Sequence, residues 1–378
     1  MSSDAGTLRV DPASLPGQAQ KLLDPKSPGP LRQLAAKGVS PGLKPHEALA
    51  VVVLLADDAD AAVADTARAT LDKLPAPLVA GALTPSLDAA VIEALVPRYA
   101  KDHTVMERLL ALPQMTPATV AMAAGLASEA VSELIATNEE RLLANPQIIE
   151  KLYMNRATRM STADRILELA VRNKVELPGI PAYAEAAAAI MNELIPEPSE
   201  EPTYDDILFR ELDALAAEVG ELDGDDDTFA VEEETGEEKV KEKFVPIEQK
   251  LAEMTVSQKI RRAMLGSPSE RALLVRDRNR LVATAAVKSP MIQENEVARI
   301  AASRAVNDDV LRIIAQNREW MAKHAIKLTL VMNPRTPFVY VSRIIPYLME
   351  HELKTLSKSK NVSGQVSTLA RQQLLRKK

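Results

Sequence analysis

The densest concentration of side chains able to do chemistry in this chain is cationic. Lys259, Arg261, Arg262, Arg271, Arg276, Arg278 and Arg280 fall within 22 positions, and Arg299, Arg304 and Arg312 follow. Guanidinium and ammonium groups gathered on one helical face attract phosphates or carboxylates, so this run points to binding rather than to bond making. Arg261, Arg262, Arg276, Arg278, Arg280, Arg299 and Arg304 form a candidate binding surface. Trp320, the single tryptophan, is either a packing residue between helices or an interface anchor of that surface.

Other reactive types are sparse. The chain has no cysteine, which removes disulfides, thiolate metal sites and cysteine nucleophiles together and fits a reducing cytoplasm. His46, His103, His324 and His351 have no metal-ligand spacing among themselves and are expected to be structural. No Gly-rich phosphate loop, G-x-S-x-G turn or H-E-x-x-H pair occurs, so no cofactor, metal or enzymatic activity is expected. The start, MSSDAGTLRVDPASLPG, has neither a basic nor an apolar signal region, and no signal peptide is expected. The longest apolar run, LAVVVLLA from Leu49, is far short of the roughly 20 residues of a spanning helix, so no membrane association is expected.

The elements that must position these residues are helices. Aromatic residues make up only 3 % of the chain, and small aliphatic side chains dominate its 46 % hydrophobic content, a composition suited to closely meshed helices and not to a sheet core. Apolar residues recur at helical spacing, as in Val297, Ile300 and Ala301, then Val310, Ile313 and Ile314. The fold class is all-α. Helices are predicted over 294–304, 308–316 and 318–331.

One helical pattern also occurs twice. IATNEE at Ile135 continues to MNRAT and DRILEL, while IAQNRE at Ile314 continues to MNPRT and SRIIPY. Thr158 to Arg165 and Thr336 to Arg343 are both seven apart. A shorter repeat lies within the C-terminal part, where Ser289-Pro and Asn333-Pro are 44 positions apart. That period suits stacked two- or three-helix units, which bury a continuous core only together. Asn138 and Asn317, and again Asn155 and Asn333, take matching places. Their expected role is to satisfy backbone groups at helix ends.

The segment DADAAVADTARATLDKL from Asp58 resembles half of a HEAT repeat, with Asp60, Val63, Ala67 and Leu71 in that family's ladder and Ala64 where the family usually has a basic residue. As a whole the chain resembles bacterial HEAT- or armadillo-like helical repeat proteins. The resemblance implies stacked helices with a binding surface along one side.

At 378 residues the chain is too long for one ordinary core, and two lobes are expected. Residues 1–44 are rich in proline and read as a tail or strap, with only a short turn near Gln18 to Leu23. Lobes follow at 45–195 and 250–378. The linker between them, 196–249, is strongly acidic. Glu197 to Glu238 carries net −17, and 239–378 carries net +15. Residues 223–240 are expected to lack structure. Within the linker Leu208, Leu212, Leu215, Val219 and Leu222 make one stripe, predicting a helix over 207–222 that docks on a lobe or a partner.

These features together predict a cytoplasmic scaffold or adaptor that binds protein partners. The alternative is a nucleic-acid-binding protein that uses the basic C-terminal lobe. Neither partner identity nor oligomeric state is legible.

The pattern places Arg165, Arg299 and Arg343 each just before a core isoleucine: Ile166, Ile300 and Ile344. Replacing Ile344 by Ala should therefore cost about 2–5 kcal/mol in a denaturation titration. Arg343→Ala should cost much less, and equal small losses would mean that the core face is misassigned.

Overall fold

A computed structural model describes residues 8–191, 201–219, 228–231, 238–359 and 361–376. Among the described residues there are 24 α-helices and four short 3-10 turns. The all-α expectation holds. The strands among them are Phe229–Val231 and Glu238–Val240, which pair antiparallel with Phe229 opposite Val240. They fall inside the stretch expected to lack structure, and 223–227 and 232–237 lie outside the described residues. The chain divides into two compact units, Met1–Leu177 and Pro178–Lys378.

In the first unit local chemistry sets the helix starts. Asp60, Asp88, Asp102, Thr116 and Asn138 each accept a hydrogen bond from a first-turn N–H of the helix that follows. Proline opens the helices Pro45–Leu55, Pro117–Leu126 and Pro146–Tyr153, where its missing N–H costs no hydrogen bond. Val63, Ala67 and Leu71 of the helix Ala61–Asp72 are buried, as the repeat-like ladder requires.

The proline-rich beginning differs from expectation. It contains the helices Gly17–Leu23 and Gly29–Ala36, packed on Pro45–Leu55 and Ala61–Asp72, with Ala19, Ala35 and Ala36 buried. Pro16 and Pro28 are not breakers there. Each precedes the first helical residue, and Pro30 lies within the first turn. The buried ion pair of Arg32 with Asp58 fixes this strap.

In the second unit the first helix, Tyr183–Ile190, packs on Val256–Leu265 and Arg280–Val287. Lys288 bonds Glu185 at 2.6 Å in the same place. That packing explains why the unit begins at Pro178, some 17 residues before the expected end of the first lobe. The linker helix runs Tyr204–Val219 and packs on Val245–Glu253, burying Leu208, Phe209 and Leu212. Leu215 is half-buried, and the side chain of Val219 lies outside the described residues, as does Leu222.

The helix predicted over 308–316 is present as Asp308–Gln316, and the one over 294–304 stops at Ala302. In place of one helix over 318–331 there is a 3-10 turn, Trp320–Ala322, and then His324–Met332. Asn317 produces the turn by accepting from the N–H groups of Glu319 and Trp320.

Asn155 and Asn333 make the same set of bonds. The Asn333 amide donates to the carbonyls of Ala301 and Ser303, both at 2.8 Å, and its oxygen accepts from Arg335 N–H at 3.0 Å. Asn155 donates to Ala124 and Ala127 and accepts from Ala157 N–H, all at 2.9 Å. Each ties the end of an earlier helix, Glu294–Ala302 or Pro117–Leu126, to the turn opening a later one. Ser289, 44 positions before Asn333, does a shorter version. It donates to Met264 C=O at 3.1 Å and accepts from Met291 N–H at 3.3 Å. Ile166, Ile300 and Ile344 are all buried, whereas Arg343 is exposed and Arg165 and Arg299 are half-buried.

Because Asn333 is itself buried, Asn333→Ala strands two helix-end carbonyls and should cost about 1–3 kcal/mol. Asn333→Ser should recover part of that loss, since Ser289 holds the corresponding turn. Thermal melts of the three proteins followed by circular dichroism check this, and identical midpoints would remove the clamp.

Candidate binding surface

The helices Val256–Leu265 and Pro268–Leu274 carry the centre of the cationic run, and both start with a reciprocal cap. Thr255 pairs with Gln258, and Ser267 with Glu270, so each first turn is closed by its own side chains. The second cap has a further effect. It holds Glu270, fully buried, against the arginines of the preceding helix.

Arg262 donates to Glu270 Oε1 at 2.5 Å and to Asp213 Oδ1 at 2.7 Å. Its guanidinium lies 4.7 Å from the centre of the Phe209 ring, and that of Arg261 lies 5.0 Å from it. Both arginines are buried, at 0 % and 2 % exposure for Arg261 and Arg262. Burial pushes the Glu270 carboxyl above its usual value, against the pull of Arg262 and of the Ser267 N–H. Gly266 makes the arrangement possible. A Cβ there would meet Glu270 Oε2 at 1.8 Å and the Arg262 carbonyl at 2.6 Å.

The same pattern continues along the unit. Arg271, also buried, grips Glu296 with two parallel bonds of 2.9 and 2.8 Å and donates to Gly266 C=O at 2.7 Å. Arg276 bonds Glu238 at 2.6 Å and stacks 3.7 Å from the Phe229 ring centre, while Ser303 Oγ donates to the same carboxylate at 3.0 Å. Lys259 pairs with Asp277 at 3.3 Å and Arg280 with Asp309 at 2.8 Å. Lys250 pairs with Glu211 at 2.7 Å.

The expected surface therefore has to be corrected. Arg261 and Arg262 lie inside the unit, because Phe209 and Asp213 of the linker helix cover them. Arg276 is largely enclosed by Phe229 and Glu238. Arg278, Arg280 and Arg304 are exposed, Arg299 and Trp320 half-buried. Part of the acidic segment thus answers the basic residues within one unit, through Glu211, Asp213 and Glu238. Spacing gave no hint of Glu296 as a partner. The Ser267-to-Glu270 motif was the local signal for the first carboxylate. His324 also has a partner that its sequence offset did not suggest, Glu352 at 2.7 Å.

An open groove of about 640 Å³ lies elsewhere in this unit. It is lined by the end of Asp308–Gln316, by His324–Met332, and by Phe338–Ile344 with the 3-10 turn Ile345–Tyr347 that follows. Val339, Ile344, Tyr340 and Tyr347 give it an apolar and aromatic wall, and Lys327 and Arg343 give it charge. None of its nine lining residues is acidic. Tyr347 is 71 % and Val339 58 % exposed, so the wall faces solvent. Among the described residues no group of three or more potential metal ligands occurs, and no helix is long and apolar enough to cross a membrane.

Compared with protein-family models, with curated proteins and with solved structures, the chain matches none.

Glu270→Ala leaves the Arg262 guanidinium buried without its enclosed partner and should cost about 3–5 kcal/mol. Asp213 is 42 % exposed, and Asp213→Ala should cost under about 1 kcal/mol. Denaturation followed by Trp320 fluorescence measures both, and near-equal losses would place the two carboxylates in the same environment.

Proposed function

We propose that this chain is a non-enzymatic cytoplasmic scaffold or adaptor, built from two related helical-repeat units of the HEAT or armadillo kind, which binds protein partners through the surfaces of those units. The matching Asn155 and Asn333 bonds support relatedness, since the same side chain joins the same pair of helix ends in each unit. The groove of the second unit is the observation that carries a binding role. It combines apolar area, two tyrosines and two cations on an accessible wall, the composition of a protein-recognition site. The competing nucleic-acid reading loses residues it would use. Arg261, Arg262, Arg271 and Arg276 are engaged by carboxylates or rings of their own unit, and the exposed Arg278 and Arg304 would have to carry more of the contact.

Affinity capture of the tagged full-length chain, with and without nuclease and with a groove-independent surface mutant as control, tests the reading. The same protein partners should return under both conditions. Partners that disappear on nuclease treatment, or recovery of nucleic acid alone, would overturn it.

A further inference from the structure

The stretch that lines the groove has a sequence match in the first unit, where the charged side chains pair with one another. Aligning Ile135 with Ile314 and, after one gap, Arg165 with Arg343 also brings two residues that precede helices into register, Ser128 before Glu129–Ala136 and Asn307 before Asp308–Gln316. At the matched positions the first unit has Glu133 and Arg165, 3.6 Å apart, and Thr162 also donates to Glu133. The second unit has Arg312 in place of Glu133. Arg312 leans on Asp309 of its own helix at 3.4 Å. Arg343 has no carboxylate partner among the described residues, and neither has Lys327, whose ammonium lies 5.6 Å from the Tyr347 ring centre.

Helix length differs at the same place. In the first unit Met160–Arg172 runs for 13 residues, with Glu168 in its interior. Pro346 stands at the matched position of the second unit, and the helix stops at Ile344 after seven residues. Proline cannot donate the next helical bond, so the chain tightens into the turn Ile345–Tyr347 and projects Tyr347 to the rim. Thr162 is matched by Tyr340, whose hydroxyl accepts from Gln316 Nε2 at 2.8 Å and is thereby fixed along the wall. A carboxylate that the first unit supplies from within thus has no equivalent among the described residues of the second, beside an exposed apolar wall.

We propose that the groove binds an acidic peptide segment of a partner protein. An aspartate or glutamate of that segment sits between Lys327 and Arg343, doing for Arg343 what Glu133 does for Arg165. A neighbouring leucine, phenylalanine or tyrosine packs on Val339, Ile344 and Tyr347. Charge complementarity selects this occupant, because the wall holds two cations that have no carboxylate partner among the described residues, and no acid lines it. The proposal rests on the scaffold reading and gives its partner a chemistry.

The test is a random peptide library displayed on phage and selected on the full-length protein. Selected peptides are then synthesised and titrated against Trp320 fluorescence, the single tryptophan, whose neighbour Met321 lines the groove. The peptides should share an acidic residue beside a large apolar one. Arg343→Gln and Lys327→Gln should each weaken them on the order of tenfold, whereas Lys101→Gln on the first unit changes nothing. Val339→Asp should weaken them too, which separates a seated peptide from general attraction to charge.

Failure to enrich any peptide, enrichment without a shared acid, or unchanged affinity in both Gln variants would overturn the proposal. So would a DNA duplex displacing the peptides, since the groove would then answer to any polyanion. Circular dichroism of each variant verifies folding. These results are separable from the scaffold reading: partners captured regardless of nuclease but unaffected by the Gln variants would leave the scaffold standing and move its site elsewhere.

Discussion

Two arginine–glutamate pairs, Arg262 with Glu270 and Arg271 with Glu296, sit where the helices of the second unit meet, and the placement of the surrounding elements depends on them. A buried charge costs several kcal/mol unless its partner and its remaining donors are matched. Here most of the matching is met, Arg262 Nε alone of these guanidinium donors having no partner among the described residues: a capping box positions Glu270, Gly266 leaves room for its carboxylate, and Arg271 reaches both Glu296 and the Gly266 carbonyl. Such pairs are weak sources of net stability, because well-packed apolar residues would often do as well. Their effect here is on register. A leucine stripe such as Leu208, Leu212 and Leu215 fits nearly as well after sliding by one turn. Phe209 against two guanidiniums and Asp213 on Arg262 do not, and they fix the linker helix in one place.

This explains how a segment of net −17 can contribute to a folded unit. Composition alone says that such a segment cannot offset its ordering entropy. Its described parts do not act as average composition. The helix Tyr204–Val219 contributes three buried apolar residues, Leu208, Phe209 and Leu212, and the strand Glu238–Val240 contributes one carboxylate to Arg276 and Ser303. Each acid that is held answers a specific cation, so the charge asymmetry read along the chain is partly consumed inside one unit.

What could be read from sequence follows from which physics is local. Helix class, the buried Val63–Ala67–Leu71 ladder, the core positions of Ile166, Ile300 and Ile344, and the helix-end role of Asn155 and Asn333 all rest on spacing within a few turns. The burial of Arg261 and Arg262 does not. A run of arginines has the same spacing whether it faces solvent or a carboxylate 25 positions away, as Glu296 is from Arg271. The proline-rich beginning failed for a related reason. Proline density describes the whole stretch, whereas Pro16 and Pro28 each stand just before a helix start, where proline is compatible with a helix. The groove was invisible because it is defined by what one copy of the pattern lacks.

The matched stretches of the two units agree at their helix ends and differ on their outer faces. Joining helix to helix makes the same demand in both units, since orphan carbonyls at a helix end need donors wherever the stack continues. Asn155 and Asn333 meet it with the same bonds. The outward side of a helix is under no such demand, and there the matched positions part: Glu133 against Arg312, Glu168 against Pro346, Leu169 against Tyr347. Each change is tolerable alone, because it alters a face and not a joint. In combination they remove an internal carboxylate, end a helix early and turn an aromatic ring to the rim, which opens a groove while the joint beneath it stays intact.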